Sequence, residues 1–261
     1  MALGFFFGLL PQVSEERWTQ VKNFKSLFGL LIVLLLSSQH GFAQSTLFNI
    51  PSTDAVSAKK LYAEFDFMAQ MPTTTGVDRL YVYAPRAVVG VGAGVEAGVN
   101  ITMYHTTGTT QSYIQPNVKW RFAANDDKGI AASAGTIIYT PGNNTDTVDT
   151  FGLVYGNFSK KIKSGNYGPR FTAGPYGIYS GESSWVGPKA GVILGYEQPI
   201  HPKVTVVADW YSGKNFFGYF TPGVSFTLPH SSLFNIGYSI GNDSYDGNNN
   251  RLLFMYYGIT F

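Results

Sequence analysis

The sequence of 261 residues contains no cysteine, which excludes disulfide bonds and metal sites built on thiolates. Charged side chains make up only 13% of it, whereas about a quarter is usual for a soluble domain. The net charge of +2 is mild and no basic stripe is present, so a nucleic-acid partner is not expected. Low charge combined with 20 Phe and 17 Tyr favours an exterior that faces lipid or is otherwise very apolar.

The sequence also lacks an apolar run long enough to cross a membrane as a helix. Its most apolar stretch, Leu27 to Leu36, is about half of the roughly twenty residues that a spanning helix needs. Lys22 and Lys25 precede this stretch, and small residues suitable for cleavage after Ala43 follow it. This pattern predicts a secretory signal peptide over residues 1–43 with a long n-region, the alternative being an inner-membrane anchor. Residues 44–59 have no periodicity and are predicted to form a periplasmic lead-in or a short flap.

Beyond residue 60 the chain shows no sustained helical period. It alternates instead between apolar and polar residues in runs close to the 9 to 11 residues that a tilted membrane strand requires. Turn-forming clusters rich in Gly, Pro, Asn and Asp separate the runs. Twelve strands are predicted, at residues 60–70, 79–91, 94–105, 112–123, 129–140, 148–159, 168–180, 185–197, 203–212, 216–228, 232–241 and 251–261.

The alternation gives each strand two different faces. In the third strand Val95, Val99 and Ile101 share one face, while Glu96 and Asn100 occupy the other. The first, fourth, ninth and tenth strands follow the same rule, and the sixth and seventh follow it less cleanly. Long strands with so few charges favour a barrel that faces lipid. A secreted or periplasmic β-sandwich that binds a ligand is the soluble alternative, although its strands are usually nearer 5 or 6 residues long.

The last strand, Arg251 to Phe261, ends on an aromatic residue preceded by alternating apolar positions that include Tyr257 and Ile259. This ending resembles the C-terminal signature of Gram-negative outer-membrane β-barrel proteins. The resemblance implies an all-β fold, a transmembrane antiparallel up-and-down β-barrel over residues 60–261. It also implies a location in the outer membrane, contact with its lipid, and recognition of Tyr257, Ile259 and Phe261 by the insertion machinery.

The polar faces of the strands carry charges of both signs, which are costly in lipid but tolerable in a barrel lumen. The residues predicted to line the lumen are Glu64, Asp66, Arg86, Glu96, Lys119, Arg121, Arg170, Lys189 and Asp209. Twelve strands lie between the eight whose side chains fill the interior and the sixteen or more that leave an open channel. The sequence therefore predicts a narrow channel for passive passage of small solutes, or else a structural barrel whose lumen is filled.

An enzyme is not expected. The sequence has no G-x-S-x-G elbow and no histidine pair with metal-ligand spacing, so neither a cofactor nor a metal is predicted. His105 and Ser112 are the one nearby pair that suggests the alternative of an outer-membrane lipid hydrolase. The sequence does not indicate an oligomeric state.

Overall fold

The computed structural model describes residues 45–71, 78–143, 149–162, 167–180, 187–242 and 251–261. The predicted signal peptide, residues 1–43, lies outside the described residues. Within them no helix is long and apolar enough to cross a membrane. The described residues form twelve β-strands: β1 (Leu61–Gln70), β2 (Tyr81–Gly92), β3 (Val95–Thr106), β4 (Thr109–Asn125), β5 (Ile130–Pro141), β6 (Phe151–Lys161), β7 (Arg170–Ser180), β8 (Ala190–His201), β9 (Val204–Tyr211), β10 (Tyr219–Leu228), β11 (Ser232–Gly241) and β12 (Arg251–Thr260).

The twelve strands form one closed sheet in which each strand pairs antiparallel with its sequence neighbours. The first and last strands close the barrel, and their register places Tyr62 opposite Thr260 and Asp66 opposite Tyr256. Phe261 continues this seam, since its backbone N–H donates to the carbonyl oxygen of Leu61 at 2.8 Å. The predicted antiparallel up-and-down barrel is therefore confirmed. The β-sandwich alternative is wrong, because the strands belong to one closed sheet and not to two packed sheets.

The two rims of the barrel differ, and we name them by the residues that they carry. The turn end carries Leu61 and Phe261, and the loop end carries Gln70 and Arg251.

The predicted strand boundaries differ from the structure by up to five residues. The tenth strand begins at Tyr219 and not at residue 216, because Phe216 and Phe217 point into the barrel before the strand starts.

The outer wall of the barrel is apolar, as the alternation predicts. Along β4 the outward positions Ile114, Val118 and Trp120 are exposed, whereas the intervening Gln115 and Lys119 are buried. The final strand follows the same rule, with Tyr257 exposed outside and Phe254 and Tyr256 buried inside. In water such a surface would be unfavourable by about 25 cal/mol for each Å² of apolar area, so the outer wall suits a lipid environment.

Prolines mark local breaks in the ladders between strands. The pairing of β2 with β3 omits Pro85, that of β4 with β5 omits Pro116, and that of β10 with β11 omits Pro222. Each proline remains paired on its other side, for example Pro85 with Phe65. Because proline has no N–H group to donate, it is tolerated where a ladder is interrupted on one side.

The lead-in predicted outside the barrel lies inside it, which corrects the sequence-based placement. Residues 45–58, called here the inner segment, follow no strand geometry apart from two isolated bridges. Leu47 and Ile50 have no exposed surface, and Phe48 retains only 2%. Burial of these three apolar side chains stabilises the segment by roughly 1.5 to 3 kcal/mol each. The lumen of twelve strands has room for such a segment, and polar side chains of the strands satisfy its backbone.

Candidate functional site

The inner segment is attached to β9 through one carboxylate. Asp209 is buried, and its Oδ2 accepts hydrogen bonds from the backbone N–H groups of Phe48 at 2.8 Å, Asn49 at 2.6 Å and Ile50 at 3.0 Å. The Asn49 side chain also donates to Asp209 Oδ1 at 3.2 Å and to Thr221 Oγ1 at 2.7 Å. These four N–H donors offset part of the cost of burying the Asp209 carboxyl group. Asp209 therefore fixes the turn of the inner segment to the barrel wall.

A second attachment is the buried ion pair between β3 and β4. Lys119 Nζ lies 3.0 Å from Glu96 Oε1, and both side chains are at most 3% exposed. Ser45 donates its hydroxyl to Glu96 Oε1 at 2.6 Å, and its carbonyl oxygen accepts from Lys119 at 3.1 Å. The backbone N–H of Val56 donates to Glu96 Oε2 at 2.7 Å. One ion pair thus holds both ends of the inner segment, and the segment in turn satisfies the buried charges.

The third attachment lies toward the turn end, on β7 and β8. Arg170 contacts Glu197 at 2.5 Å and Asp54 of the inner segment at 2.6 Å, with its own side chain 20% exposed. Nearby on β6, Asn157 donates to the carbonyl oxygen of Pro51 at 2.5 Å, and Ser159 bonds Thr53 at 2.6 Å. Polar groups of the barrel therefore hold the inner segment from Ser45 to Val56.

Three of the charge pairs come from residues that face each other across hairpins. The strand registers place Glu64 opposite Arg86, Glu96 opposite Lys119, and Arg170 opposite Glu197. Cross-strand partners on one face approach closely enough to interact directly. The alternation of polar residues thus produces ion pairs inside the lumen once the hairpins form.

The carboxylates of β1 form a cluster with a single cation. Arg86 contacts Glu64 at 2.9 Å and donates to Thr46 Oγ1 at 3.0 Å, while its distance to Asp66 is 3.9 Å. The Tyr62 hydroxyl also donates to Glu64. All these groups are wholly or largely buried. The cluster of Glu64, Asp66 and Arg86 therefore holds two carboxylates against one guanidinium.

Aromatic side chains occupy the lumen toward the loop end. The rings of Tyr139 and Phe151 stack with their centroids 4.6 Å apart. Phe216 and Phe217 come from the chain between β9 and β10. The ring of Phe216 lies 5.9 Å from that of Phe151, and the ring of Phe217 lies 5.5 Å from that of Tyr139. Asn215 fixes this connection by donating to the Tyr176 hydroxyl at 2.6 Å and to the carbonyl oxygen of Pro188 at 2.8 Å. The lumen is therefore narrowed from both sides, by the inner segment and by this aromatic cluster.

A cavity of about 350 Å³ lies between the inner segment and the aromatic cluster. Polar groups line its floor, including Thr46, Asp66, Arg86, Asn100 and Gln115. Its walls toward the loop end are mainly apolar or aromatic, and include Leu80, Val82, Tyr104, Phe216, Phe217 and Leu252. A cavity with apolar walls and a few polar groups on one side is the usual form of a small-molecule site.

The structure brings together most of the residues that the sequence predicts to line the lumen. Glu64, Asp66, Arg86, Glu96, Lys119 and Asp209 are enclosed by the barrel, and Arg170 lies half-buried near the turn end. Arg121 is half-buried at the turn end, beside a register shift between Trp120 and Ala123. Lys189 is exposed just before β8, near the carbonyl oxygen of Ser180. The outward residues Tyr257, Ile259 and Phe261 lie where the insertion machinery could reach them, and their recognition stays a prediction.

Sequence reasoning missed the inner segment and the aromatic cluster as parts of the lumen. The one available signal was the presence of Leu47, Phe48 and Ile50 in a stretch assigned to solvent. The second missed element was the pair Phe216 and Phe217, which sequence analysis placed at the start of a strand.

The hydrolase pair does not form an arrangement suited to nucleophilic catalysis. His105 Nδ1 bonds Thr110 at 2.8 Å, and the Ser112 hydroxyl bonds the side chain of Asn143 at 3.1 Å. Each of the two groups is therefore engaged with a different partner. Among the described residues, no group of three or more His, Asp or Glu could hold a metal ion.

Comparison with known proteins identifies the fold. No protein-family model matches the chain, and no curated protein matches it. Among solved structures, an outer-membrane channel from Pseudomonas putida F1 matches with a TM-score of 0.54 and 10% identity, over 80% of this chain and 98% of that chain. The translocator domain of the autotransporter NalP from Neisseria meningitidis matches with a TM-score of 0.42 and 10% identity, over 95% and 98% of the respective chains. A mutant of the Rh. blastica porin matches with a TM-score of 0.34 and 9% identity, over 77% and 99%.

The fold is therefore that of an outer-membrane β-barrel. The likeness to the Pseudomonas channel, together with the closed twelve-stranded sheet and its apolar outer wall, supports this assignment.

Proposed function

We propose that this protein is a channel for small solutes in the outer membrane of a Gram-negative bacterium, and that the inner segment closes it. The proposal rests on how the inner segment is attached inside the barrel. The segment belongs to no strand of the sheet, and it is attached to the wall by side chains of Asp209, Glu96, Lys119 and Arg170. Its displacement would widen the lumen without breaking any ladder between strands.

Release of the segment breaks these attachments and also exposes the buried side chains of Leu47, Phe48 and Ile50, so it is a costly step in the wild type. Hydrogen bonds to a charged group contribute roughly 1.5 to 3 kcal/mol each, and water that enters an opened lumen would solvate the same groups. The barrel itself is held by twelve continuous strand pairings. Movement of the segment is therefore much less costly than any opening of the wall.

Asp209→Asn tests the proposal, because it removes one charge from the strongest attachment with little change in shape. Single-channel currents in planar bilayers are compared for the wild type, Asp209→Asn and the control Asp127→Asn, which changes an exposed residue between β4 and β5. We expect Asp209→Asn to spend more time in a conducting state, and the control to behave as the wild type. Heat-modifiable migration on a gel verifies that each variant is folded.

A chemical reporter separates movement of the segment from conduction. The chain lacks cysteine, so Ala55→Cys, at a residue that is 6% exposed, provides a single thiol on the inner segment. Faster maleimide labelling in the Asp209→Asn background reports release of the segment. Release without current steps would overturn the channel proposal and favour the filled structural barrel.

A further inference from the structure

An apolar groove lies on the outer wall of the barrel, across strands β7 to β10, and we call it the outer groove. Its volume is about 670 Å³. The small side chains of Ala173 and Ala208 leave this space between larger ones. Four rings border it, those of Phe171, Tyr196, Trp210 and Phe220. Phe171 and Phe220 are 45% and 43% exposed, so the outer groove opens away from the lumen.

The side chains that border the outer groove are held in place by other parts of the barrel. The ring of Tyr196 packs against that of Phe171 with centroids 5.2 Å apart, and its hydroxyl donates to Gln198 Oε1 at 3.2 Å. Trp210 Nε1 donates to Asn242 Oδ1 at 3.0 Å. The polar atoms of both rings are therefore satisfied within the protein, and the groove presents apolar surface. Because its walls are already fixed, an occupant loses little binding free energy to the ordering of side chains.

A cation stands beside the outer groove on the same face of the sheet. Lys160 of β6 lies opposite Phe171, which in turn lies opposite Tyr196. Lys160 is exposed, and its Nζ donates to the carbonyl oxygen of Lys128 at 2.6 Å, which leaves further N–H donors of the ammonium group available. Among the described residues it forms no ion pair with a carboxylate. A lysine on the lipid face is tolerated near a membrane boundary, where it meets the headgroups.

The position of Lys160 along the barrel indicates which lipid it meets. Lys160 precedes the last residue of β6, at the turn end. Connections there are short, since Pro202 and Lys203 alone join β8 to β9, whereas residues 212–218 join β9 to β10 at the loop end. Short turns lie on the periplasmic side of outer-membrane barrels, where the leaflet consists of phospholipid. An anionic headgroup complements the charge of Lys160, and an acyl chain matches the apolar groove.

We propose that the outer groove binds an anionic phospholipid, with the phosphate on Lys160 and one acyl chain along Ala173 and Ala208. A phosphate oxygen that accepts from an ammonium group makes a charge-assisted hydrogen bond, which is stronger than one between neutral groups. The chain fills the space that the two alanines leave. The site lies outside the lumen and therefore does not depend on whether the lumen opens.

Native mass spectrometry of the purified full chain in detergent tests the proposal by counting bound lipid. The probes are phosphatidylglycerol and phosphatidylcholine with identical acyl chains, and lipid A as the lipid of the opposite leaflet. We expect phosphatidylglycerol to bind at least about tenfold more tightly than phosphatidylcholine, because only its headgroup carries a net negative charge. Equal affinity for these two lipids, or tighter binding of lipid A, would overturn the proposal.

Lys160→Gln tests the headgroup contact, because it removes the charge and keeps much of the length of the side chain. We expect the tenfold preference for phosphatidylglycerol to vanish. The matched control is Lys214→Gln, which removes an exposed cation between β9 and β10 at the loop end and should keep the preference. A preference that survives in Lys160→Gln would contradict the placement of the phosphate.

Ala173→Phe tests the acyl-chain contact, because the larger side chain occupies the outer groove. Both phospholipids should bind at least about tenfold more weakly to this variant. Ala97→Phe makes the same change at an exposed outward position of β3 and should bind both lipids as the wild type does. Equal binding by the two variants would contradict the groove as the site. The lipid series on the wild type tests the charge argument even where a substitution prevents folding.

Discussion

The carboxylate of Asp209 in strand β9 accepts a 2.8 Å hydrogen bond from the backbone N–H of Phe48, although 161 residues separate the two in sequence. This contact joins the barrel wall to a segment that precedes the first strand. It also determines which way the segment turns within the lumen, because the next two backbone N–H groups bond the same oxygen. The position of the inner segment in the lumen therefore depends on a few polar contacts made across the barrel interior.

Gly195→Val is expected to push the inner segment away from β8. A Cβ atom at this position would lie 2.7 Å from Ile50 Cδ1 and 2.9 Å from Leu47 Cδ2, which is too close for either side chain to stay in place. Maleimide labelling of Ala55→Cys should become at least about tenfold faster. This corresponds to a loss of about 1.4 kcal/mol or more in the free energy that holds the inner segment in the lumen. Gly156→Val is the matched control, since nothing lies within 4 Å of its added Cβ. Equal labelling rates in both variants would contradict the packing described here.

Lys119→Met is expected to lower the free energy of unfolding by about 3 to 5 kcal/mol, because it leaves the buried Glu96 without its cation. The double variant Glu96→Gln/Lys119→Met should recover most of this loss. Glutamine removes the stranded charge, and its amide oxygen can still accept from the Val56 N–H while its NH2 group donates to the Ser45 hydroxyl. Urea unfolding in lipid vesicles measures the free energy of unfolding of the wild type, of Lys119→Met and of the double variant. If the double variant were no more stable than Lys119→Met, the loss would not come from the uncompensated charge.

Leu194→Arg is expected to destabilise the barrel by roughly 2 to 4 kcal/mol, because this outward side chain lies near the middle of β8, the part of a membrane strand that is expected to cross the centre of the lipid. Ile200→Arg, on the outer face near the turn end of the same strand, should cost about 0 to 1 kcal/mol. Guanidinium unfolding in vesicles provides both values. Equal losses in the free energy of unfolding at the two positions would argue against a membrane boundary along β8.

Phe261→Ala is expected to reduce the amount of assembled barrel in cells and to leave refolding in detergent unchanged. The substitution keeps the backbone bonds of residue 261 with Leu61, so the closing seam is preserved while the aromatic end is lost. Phe226→Ala, an outward aromatic of β10 that is 36% exposed, serves as the control. Comparison of heat-modifiable protein in outer-membrane fractions measures assembly. Similar losses for both variants would show that the terminal position has no special part in insertion.

The sequence alone determined the number of strands, their order in an antiparallel barrel and the direction of most side chains. These properties follow from local periodicity, because successive side chains of a strand point to opposite faces. The pairs Glu64 with Arg86 and Glu96 with Lys119 also lie on the predicted polar faces of adjacent strands. For these features, the covalent chain already places the interacting residues in neighbouring strands.

The tertiary structure decided what fills the lumen. Residues 45–58 have no periodicity, so nothing local indicates whether they lie outside the barrel or within it. Their position depends on contacts with Asp209, Glu96 and Arg170, which come together only when the last strand closes against the first. The inward turn of Phe216 and Phe217 depends likewise on rings from four other strands. Closure of the sheet creates one interior from residues far apart in sequence, and the packing within that interior determines the free space of the lumen.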